Sequence, residues 1–275
     1  MVDLRAAQPE DLKGSHRSRA PMKLLENKRG LVVGVANSHS IAWGISQVCH
    51  QQGADLAFTY LNESLEKRVR PLAESLNSTL IFPCDVSQDA HLEQLRENVE
   101  KWGKLDFVVH AVAFAQREDL DGRFIDTSRE GFRIALDISA YSLVALARAC
   151  EPLMNPGGSI LALTYYGAEK VVRNYNVMGV AKAALEASVR YLAADLGQKQ
   201  VRVNAISAGP IKTLSAKGIR DFNDMLKHAA EKAPLQRNVE SMEVGKSAAY
   251  LLSDLSSGVT GEVHYVDCGY NLMGM

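Results

Sequence analysis

Short runs of β-branched and aromatic residues alternate with longer amphipathic stretches from Arg29 to the end of the chain. This alternation is typical of a parallel sheet flanked by helices, because two parallel strands need a crossover connection that is usually helical. Seven runs predict strands, at residues 30–35, 55–60, 79–84, 106–110, 159–163, 201–206 and 263–266. The stretches between them predict helices, at residues 41–52, 63–76, 90–102, 129–153, 176–196 and 243–252, with a shorter helix at 221–232. The sequence therefore predicts an α/β fold, a single-domain Rossmann-like doubly wound sheet of seven parallel strands with helices on both faces.

Residues at the ends of the predicted helices support these assignments. Ser128 precedes one helix as an N-cap, and Gly53, Gly103 and Gly197 follow three others as C-terminal stops. These signals are independent of the hydrophobic pattern, because they depend on hydrogen bonding and backbone conformation at the helix ends.

The chain divides into two parts by pattern. Residues 22–275 carry the alternation and predict one domain, whereas residues 1–21 are polar and show no period, so we expect a flexible tail or an expression remnant there. Residues 208–232 follow the carboxyl end of a predicted strand and contain no clear strand of their own. We expect this segment to act as a lid.

The charge balance, the cysteines and the hydropathy exclude several kinds of partner. With 31 basic and 32 acidic side chains the formal net charge is -1, so no overall field favours nucleic acid or an anionic membrane. The four cysteines form no Cys-x-x-Cys pair and the seven histidines show no metal-ligand spacing, so we expect free thiols and no metal. No apolar run reaches the roughly 18 residues of a membrane span, and the N-terminus lacks the apolar centre of a signal peptide. We therefore expect a cytoplasmic protein.

One tyrosine and one lysine have a spacing that indicates chemistry. Tyr175 stands seven residues before Lys182, which is two turns of a helix, so the phenol and the ammonium would share one face about 10.5 Å apart along the axis. Dehydrogenases of the short-chain type usually place these groups four residues apart, and that position is Met178, which has no proton to give. The pair predicts a proton donor and a cation in one cleft, with the donor moved back by three residues.

The loop after the first predicted strand is a candidate phosphate-binding loop, because ligands of doubly wound sheets bind outside the carboxyl ends of the strands. It runs over residues 34–44 (GVANSHSIAWG), with Gly34 and Gly44 at its ends and a helix following. Backbone N–H groups and the helix dipole favour a pyrophosphate there. An ordinary strand-to-helix turn explains the glycines equally well. Ser40 adds a hydroxyl where such loops usually carry glycine.

Residues at the ends of the second, third and fourth predicted strands indicate which dinucleotide the chain would bind and how. Residues 58–63 contain no arginine or lysine for a 2'-phosphate, which favours NADH over NADPH, although Lys67 and Arg68 lie about one turn further on. Asp85, after the third strand, fits either an acceptor for the adenine amino group or a helix N-cap. The small side chains after the fourth strand would let a cofactor approach the backbone, and we expect a structural role for His110.

Several of these segments together resemble the bacterial enoyl-[acyl-carrier-protein] reductases, a divergent branch of the short-chain dehydrogenases and reductases. The resemblance runs from about residue 28 to residue 270. The segments that carry it are 34–44, 58–60 (FTY), 84–86 (CDV), 129–132 (REGF), 174–179 (NYNVMG) and 201–213 (VRVNAISAGPIKT). The resemblance implies NADH-dependent reduction of the trans-2 double bond of enoyl-acyl carrier protein thioesters, the last step of type II fatty-acid elongation. It also implies a homotetramer and acyl carrier protein as partner.

The same resemblance implies roles for individual residues. Tyr175 and Lys182 match the catalytic pair, and Tyr165 matches a residue that also lines the acyl pocket. Cofactor contacts match Ser40, Ile41, Asp85, Val86, Ala113, Lys182, Ile211 and Thr213, beside Gly34 of the loop. Substrate or inhibitor contacts match Ala115, Leu120, Met178, Ile219 and Phe222, and the last two lie in the segment that resembles the lid.

Three positions depart from the pattern of the family. Leu61 stands where a glutamine often faces the adenosine, which leaves the cofactor preference open. Ala113 stands where some members have glycine, and this narrows the nicotinamide pocket. Ala111 replaces a serine.

The spacing of the pair suits reduction of an enoyl thioester. Hydride adds to C3 while negative charge develops on the thioester oxygen at C1, whereas a ketone reductase needs its phenol beside the carbon that receives hydride. A shift of three residues moves the tyrosine about 4.5 Å along a helix, in the direction that this difference requires. Two alternatives stay open at this point, a short-chain ketone or alcohol dehydrogenase and a non-catalytic dinucleotide-sensing regulator.

Overall fold

A sheet of parallel strands forms the centre of the structure. The computed structural model describes residues 23–214, 216 and 220–274, and in this part of the chain seven strands form one sheet in the order β3-β2-β1-β4-β5-β6-β7. Every neighbouring pair is parallel. The strands are β1 (Arg29–Val33), β2 (Asp55–Tyr60), β3 (Ile81–Pro83), β4 (Leu105–His110), β5 (Met154–Thr164), β6 (Arg202–Ala208) and β7 (Val263–Val266). The predicted seven-stranded doubly wound fold is confirmed.

Helices connect the strands and cover both faces of the sheet. They are α1 (Ile41–Gln51), α2 (Glu63–Ser75), α3 (Asp89–Trp102), α4 (Arg117–Leu120), α5 (Arg129–Leu136), α6 (Ser142–Cys150), α7 (Asn176–Gly197), α8 (Phe222–Lys232) and α9 (Ser241–Leu252). Helix α5 begins as predicted, because the Ser128 side chain accepts a hydrogen bond from the Gly131 backbone N–H at 2.9 Å.

Two predictions about helix boundaries are wrong. Residues 129–153 do not form one helix: a π-helical turn (Asp137–Tyr141) separates α5 from α6, and a short 3-10 turn containing Pro152 ends the segment. Gly197 is the last residue of α7, and the left-handed residue that follows this helix is Gln200, with φ of 58°. Gly103 does end α3, with φ of 124°.

Successive side chains of the strands belong alternately to two apolar layers, one on each face of the sheet. Leu31 and Val33 of β1 belong to a buried cluster that includes residues of α3, α6 and α7. Val32, between them, belongs to the opposite cluster, which includes residues of α1, α2 and α9. Successive side chains of a strand point to opposite faces, so a run that is apolar throughout can bury both faces of the sheet.

Helices α1 and α9 pack backbone against backbone through two glycines. A Cβ on Gly44 would lie 2.7 Å from the Ser241 carbonyl oxygen, and one on Gly245 would lie 2.6 Å from the Gly44 carbonyl oxygen. Gly44 is therefore a helix-packing residue in the first turn of α1.

The strand order places a crevice between β1 and β4. The chain moves outward from β1 to β2 and β3 on one side, and from β4 to β7 on the other, so the loops after β1 and β4 leave in opposite directions. Ligands of such sheets bind at this reversal, outside the carboxyl ends of the strands. None of the helices that the structure describes has the length and apolarity of a membrane span, and its described residues contain no cluster of three or more His, Cys, Asp or Glu suited to a metal.

Candidate active site

A cavity of about 400 Å³ lies at the carboxyl ends of β1, β4, β5 and β6. Helix α7 forms one wall, and residues 208–211, 213, 214 and 216 after β6 form another. The expected site residues that line it are Gly34, Ser40, Ile41, Ala113, Ala115, Leu120, Tyr165, Tyr175, Met178, Lys182, Ile211, Thr213 and Phe222. The sheet thus gathers residues that lie up to 188 positions apart in the sequence into one site.

The two tyrosines contact each other in the wall of this cavity. The ring centroids of Tyr165 and Tyr175 are 5.0 Å apart, with the planes inclined at 71° in an edge-to-face arrangement. The hydroxyl of Tyr165 donates to the Met225 sulfur at 3.3 Å. Tyr175 is 8% exposed and stands immediately before the first helical residue of α7. Tyr165 therefore holds the ring of Tyr175 from one side and is itself tied to α8.

An unusual backbone holds Tyr175 at the start of α7. The residues on both sides, Asn174 and Asn176, have positive φ values of 61° and 35°. Their side-chain amides donate to backbone carbonyls elsewhere: Asn174 to Arg220 at 3.1 Å, and Asn176 to Leu120 at 3.1 Å. Asparagine tolerates this region better than most residues because its side chain can hydrogen-bond locally. The local strain is balanced by contacts that fix the tyrosine between the cavity wall and the approach to α8.

A close glycine contact lies behind the tyrosine ring. A Cβ on Gly167 would lie 2.5 Å from Cδ1 of Tyr175, and a Cβ on Gly179 would lie 2.7 Å from the Gly167 carbonyl oxygen. The turn after β5 and helix α7 therefore approach each other as closely as their backbones allow, and this approach leaves the Tyr175 ring one position.

Lys182 is a buried cation at the floor of the cavity. It is 6% exposed, and its ammonium donates to the Leu163 carbonyl oxygen at 2.8 Å. Burial lowers its pKa to about 8, while the negative charge of Glu186 opposes this shift. An ammonium has three N–H donors, and one is used here within the described residues. Two donors stay available for hydroxyl groups of a ligand.

Both phenols stay protonated at neutral pH. Burial raises the pKa of Tyr175, with smaller contributions from Tyr165 and Glu186, and burial likewise raises the pKa of Tyr165. A phenol whose pKa is raised is a hydrogen-bond donor throughout the physiological range.

The loop after β1 packs directly against the residue that follows β4. Gly34 has φ of 115°, and a Cβ there would lie 2.2 Å from the Ala111 carbonyl oxygen. The Ser40 hydroxyl accepts from the backbone N–H groups of Ala36 and Asn37, at 3.0 and 3.1 Å. Ser40 thus orders the loop from within. The first N–H groups of α1, at Ile41 and Ala42, have no partner inside the helix and lie in the cavity wall.

The adenosine side of the predicted site is more open. Leu61 is 53% exposed after β2, and neither it nor Asp85 or Val86 lines the cavity. The Asp85 carboxylate accepts from the backbone N–H of Ser87 at 3.0 Å, while the residue before α3 is Gln88. The helix N-cap interpretation of Asp85 is therefore wrong. Val86 packs into the core cluster of one sheet face.

Small residues after β4 form the cavity wall opposite α7. Ala113 and Ala115 line it, and the backbone between them is fixed by Ser139 of the π-helical turn, whose hydroxyl accepts from the Phe114 N–H at 2.9 Å and donates to the Phe114 carbonyl at 3.0 Å. His110 precedes this loop and is fully buried, with Nε2 2.7 Å from the Ser142 hydroxyl. Burial lowers its pKa to about 3, so it is a neutral structural residue, as expected.

The side of the cavity where substrate contacts are expected is apolar. Met178, Ala181 and Tyr175 form a small buried cluster, against which Leu120 and Tyr165 pack. Phe222, the first residue of α8, also lines the cavity. Ile219, the remaining residue expected to contact substrate, lies outside the described residues.

The sequence argument missed two polar residues of this site. Thr164, at the end of β5, lines the cavity and donates from its hydroxyl to Oε1 of Glu186 at 2.7 Å. Glu186 is 7% exposed. A sequence signal exists, because Glu186 follows Lys182 by four residues and so lies on the same face of α7.

These features define a class of protein. The reversal of strand order, the glycine at the end of β1, and the tyrosine and lysine in one cavity wall are shared by the dinucleotide-dependent short-chain dehydrogenases and reductases. Within that class, a model of the family described as enoyl-(acyl carrier protein) reductase matches residues 34–271. The chain belongs to this family.

Named relatives agree with the family match over nearly the whole chain. The enoyl-[acyl-carrier-protein] reductase [NADH] FabI of Rickettsia typhi is 56% identical over 253 residues, which are 92% of this chain and 97% of the relative. A crystal structure of the Bacillus cereus enoyl-acyl carrier protein reductase with NADP+ and indole naphthyridinone has a TM-score of 0.90 at 55% identity, covering 92% of this chain and 100% of that one. The reductase of Anaplasma phagocytophilum in complex with NAD has a TM-score of 0.88 at 55% identity, covering 92% and 97%.

Proposed function

We propose that this chain reduces the trans-2 double bond of enoyl-acyl carrier protein thioesters with NADH, in the last step of the type II fatty-acid elongation cycle. The observation that carries the proposal is the placement of Tyr175 and Lys182, seven residues apart, in the wall of one apolar cavity. Membership of the enoyl-(acyl carrier protein) reductase family supports it. The relatives are reductases of the NADH type, and NADH is the cofactor of this chain.

The cavity suits the pyrophosphate and nicotinamide parts of a dinucleotide, since the expected contacts at its adenosine end, Leu61, Asp85 and Val86, do not line it. Gly34 lines the cavity and lets the first loop pack directly against Ala111. Ile41 and Ala42 present N–H groups at the start of α1, where a helix dipole favours a pyrophosphate. Ala113 offers a small surface to the nicotinamide end, and Ile211 and Thr213 cover it from the segment after β6. When bound, NADH supplies the hydride that adds to C3 of the acyl chain.

Tyr175 then stabilises the charge that develops at the other end of the enoyl group. Its phenol is protonated, because burial raises its pKa, and it donates a hydrogen bond to the thioester oxygen as this becomes an enolate. Tyr165 packs against its edge and limits the motion of the ring. The three-residue displacement of the tyrosine from the position of Met178 suits a reaction in which charge appears two carbons away from the site of hydride addition.

Lys182 serves the cofactor rather than the substrate. Its ammonium is anchored by the Leu163 carbonyl, and its remaining donors suit the hydroxyls of the nicotinamide ribose. The apolar residues around it exclude water, which strengthens these interactions. Leu120, Met178 and Phe222 are proposed to hold the acyl chain, since they form the apolar side of the same cavity.

Further predictions accompany the proposed activity. Acyl carrier protein as the carrier of the substrate and a homotetrameric assembly follow from the family resemblance, and a cytoplasmic location follows from the hydropathy of the sequence. We also propose that residues 22–275 form one dinucleotide-binding domain, with 208–232 as its lid, because Ile211, Thr213 and Phe222 from this segment line the cavity.

The activity is tested by following NADH oxidation with a trans-2-enoyl thioester and, separately, with a 3-ketoacyl thioester. We expect oxidation with the enoyl substrate alone. Oxidation with only the ketone would identify a short-chain ketone reductase instead, and oxidation with neither would favour a dinucleotide-sensing regulator.

The role of the tyrosine is tested by Tyr175→Phe. Loss of one preorganised donor to a developing oxyanion costs about 3 kcal/mol, so kcat should fall roughly 100-fold. Tyr191→Phe, at a tyrosine of the same helix that is 77% exposed, is the matched control and should keep full activity. A Tyr175→Phe enzyme with unchanged kcat would contradict the assignment.

A further inference from the structure

A buried carboxylate lies next to the buried lysine and has no part in the mechanism above. Glu186 follows Lys182 by four residues in α7, and residues with this offset are neighbours on one helix face. Glu186 is 7% exposed and Lys182 is 6% exposed. Acidic and basic side chains are rarely buried to this degree, because desolvating a charge is costly unless nearby groups compensate it. The helix offset places the two charges where each can compensate the other.

The end of β5 fixes both side chains. The Thr164 hydroxyl donates to Oε1 of Glu186 at 2.7 Å, and the carbonyl of the preceding residue, Leu163, accepts from the Lys182 ammonium at 2.8 Å. Thr164 is itself 5% exposed and lines the cavity. A hydroxyl that donates to a carboxylate stabilises its ionised form. Two successive residues at the end of the strand thus bind the carboxylate and the ammonium.

We propose that Glu186 is a positioning residue that keeps the Lys182 side chain protonated inside the closed cavity. The inference rests on the proposed function, in which the lysine binds the ribose hydroxyls as a donor. Without a neighbouring anion, an ammonium in an apolar cavity loses its proton more easily, and a neutral amine offers fewer donors to a ligand.

The direction of each pKa agrees with this arrangement. Burial lowers the pKa of Lys182 to about 8, and the charge of Glu186 raises it. Burial raises the pKa of Glu186, while the hydrogen bond from Thr164 and the charge of Lys182 lower it. Each group therefore moves the other toward its charged form.

The other titratable groups around the pair do not replace this anion. His110 on β4 is neutral, since its pKa is about 3, and burial keeps the phenols of Tyr165, Tyr175 and Tyr265 protonated. The charged groups that remain nearby are both exposed, Glu169 after β5 and Arg190 on α7. The hydroxyl of Tyr265 donates to Glu169 at the surface. Glu186 is the anion that is buried with the lysine among the described residues.

The test compares Glu186→Gln with a matched exposed change, Glu169→Gln. Glutamine keeps a carbonyl acceptor for Thr164 and removes the charge, so a purely structural role would be preserved. The basic limb of the pH profile of kcat/KM reports the group that must be protonated in the free enzyme. We expect this limb to move to lower pH by roughly one unit in Glu186→Gln, so that kcat/KM at about pH 9 falls a further 3- to 10-fold. The limb of Glu169→Gln should coincide with that of the unmodified protein.

A second readout does not depend on turnover. The affinity for NADH, followed by nucleotide fluorescence as the pH is raised, should weaken at lower pH in Glu186→Gln than in the unmodified protein. Glu186→Asp keeps the charge but retracts it by one methylene. Its limb should move in the same direction and less than half as far, which also provides the test where the glutamine variant does not fold.

Two outcomes separate this inference from the proposed function. Failure of the unmodified protein to reduce an enoyl thioester would overturn the proposed function, and the NADH titration would still measure the effect of Glu186 on the lysine. The role of Glu186 would be overturned by a different result. In that result, the basic limbs and the NADH titrations would coincide for the unmodified protein, Glu186→Asp and every folded Glu186→Gln preparation.

Discussion

Two buried cations, Arg202 on β6 and Lys182 on α7, show how a structural charge differs from a functional one. They are 7% and 6% exposed. The Arg202 guanidinium donates to the Leu251 carbonyl at 2.8 Å, the Ser256 hydroxyl at 2.7 Å and the Ser253 carbonyl at 3.1 Å. Lys182 donates one hydrogen bond within the described residues and faces a cavity. A buried cation bonded within its own chain joins elements of the fold, whereas one with donors left over is suited to a ligand.

The largest effect on stability is expected at the structural cation. Arg202→Met removes the donor of three hydrogen bonds that connect β6 to the end of α9. A buried acceptor that is left without any partner costs about 1 to 3 kcal/mol. Because the serine hydroxyls partly compensate, we expect a loss of about 4 kcal/mol in the free energy of unfolding, measured with urea. Activity at a temperature where the variant stays folded should be unchanged. Arg148→Met, at an exposed arginine of α6, should cost less than about 0.5 kcal/mol. Equal losses in both variants would break the comparison.

A third buried basic residue, His110, extends the comparison because its side chain is neutral in the folded protein. Its folded pKa of about 3 lies below the ordinary value of 6.5, so the unfolded chain binds a proton that the folded chain does not between these values. Stability from this group is present above pH 6.5 and is lost as the pH falls toward 3, by about 3 kcal/mol at pH 4. The difference in unfolding free energy between pH 6.5 and about pH 4 should therefore be smaller by that amount in His110→Asn. Identical pH dependence in the two proteins would show that the imidazole titrates normally.

The smallest expected change in stability is at the functional cation. Lys182→Met keeps the length of the side chain and removes a charge whose pKa burial lowers to about 8, but it leaves Glu186 buried without its neighbouring cation. Because these effects oppose each other, the variant should be inactive while its unfolding free energy at pH 7 stays within about 1 kcal/mol of that of the unmodified protein. The same substitution at Lys101, which is exposed on α3, should leave both stability and activity unchanged. A destabilised Lys182→Met would place this lysine with Arg202 as a structural residue.

The fold was predictable because its strongest signal is local. Runs such as 30–35 and 106–110 are apolar on both faces, which indicates a strand buried between two layers of helices, and the structure has strands at both places. The π-helical turn was not predictable, since nothing in the pattern of residues 129–153 separates it from a regular helix. It depends on hydroxyl groups that bond to other parts of the fold, Ser139 to Phe114 and Ser142 to His110.

Residues of the site were predictable only where their spacing in the sequence indicates that they share one surface. Tyr175 and Lys182 have an offset that predicts a shared surface, and the structure places both in one cavity wall. Thr164 carries no such signal, because its contact with Glu186 exists only after β5 and α7 meet. The sequence placed Gly44 only at the end of the candidate phosphate-binding loop, and its packing of α1 against α9 carried no signal, because that contact exists only after the two helices meet.

The π-helical turn makes this protein more sensitive to the deletion of a residue than to the substitution of one. A π turn holds one residue more than an α turn, so deletion of any residue within Asp137–Tyr141 would give a regular helix with its apolar positions still available. The side chains before and after the turn would keep their faces, because a π turn makes the same rotation as an α turn that has one residue fewer. The change would therefore be confined to the turn, where Ser139 would lose its position against Phe114, and that part of the cavity wall would lose its support although no residue of the cavity had changed.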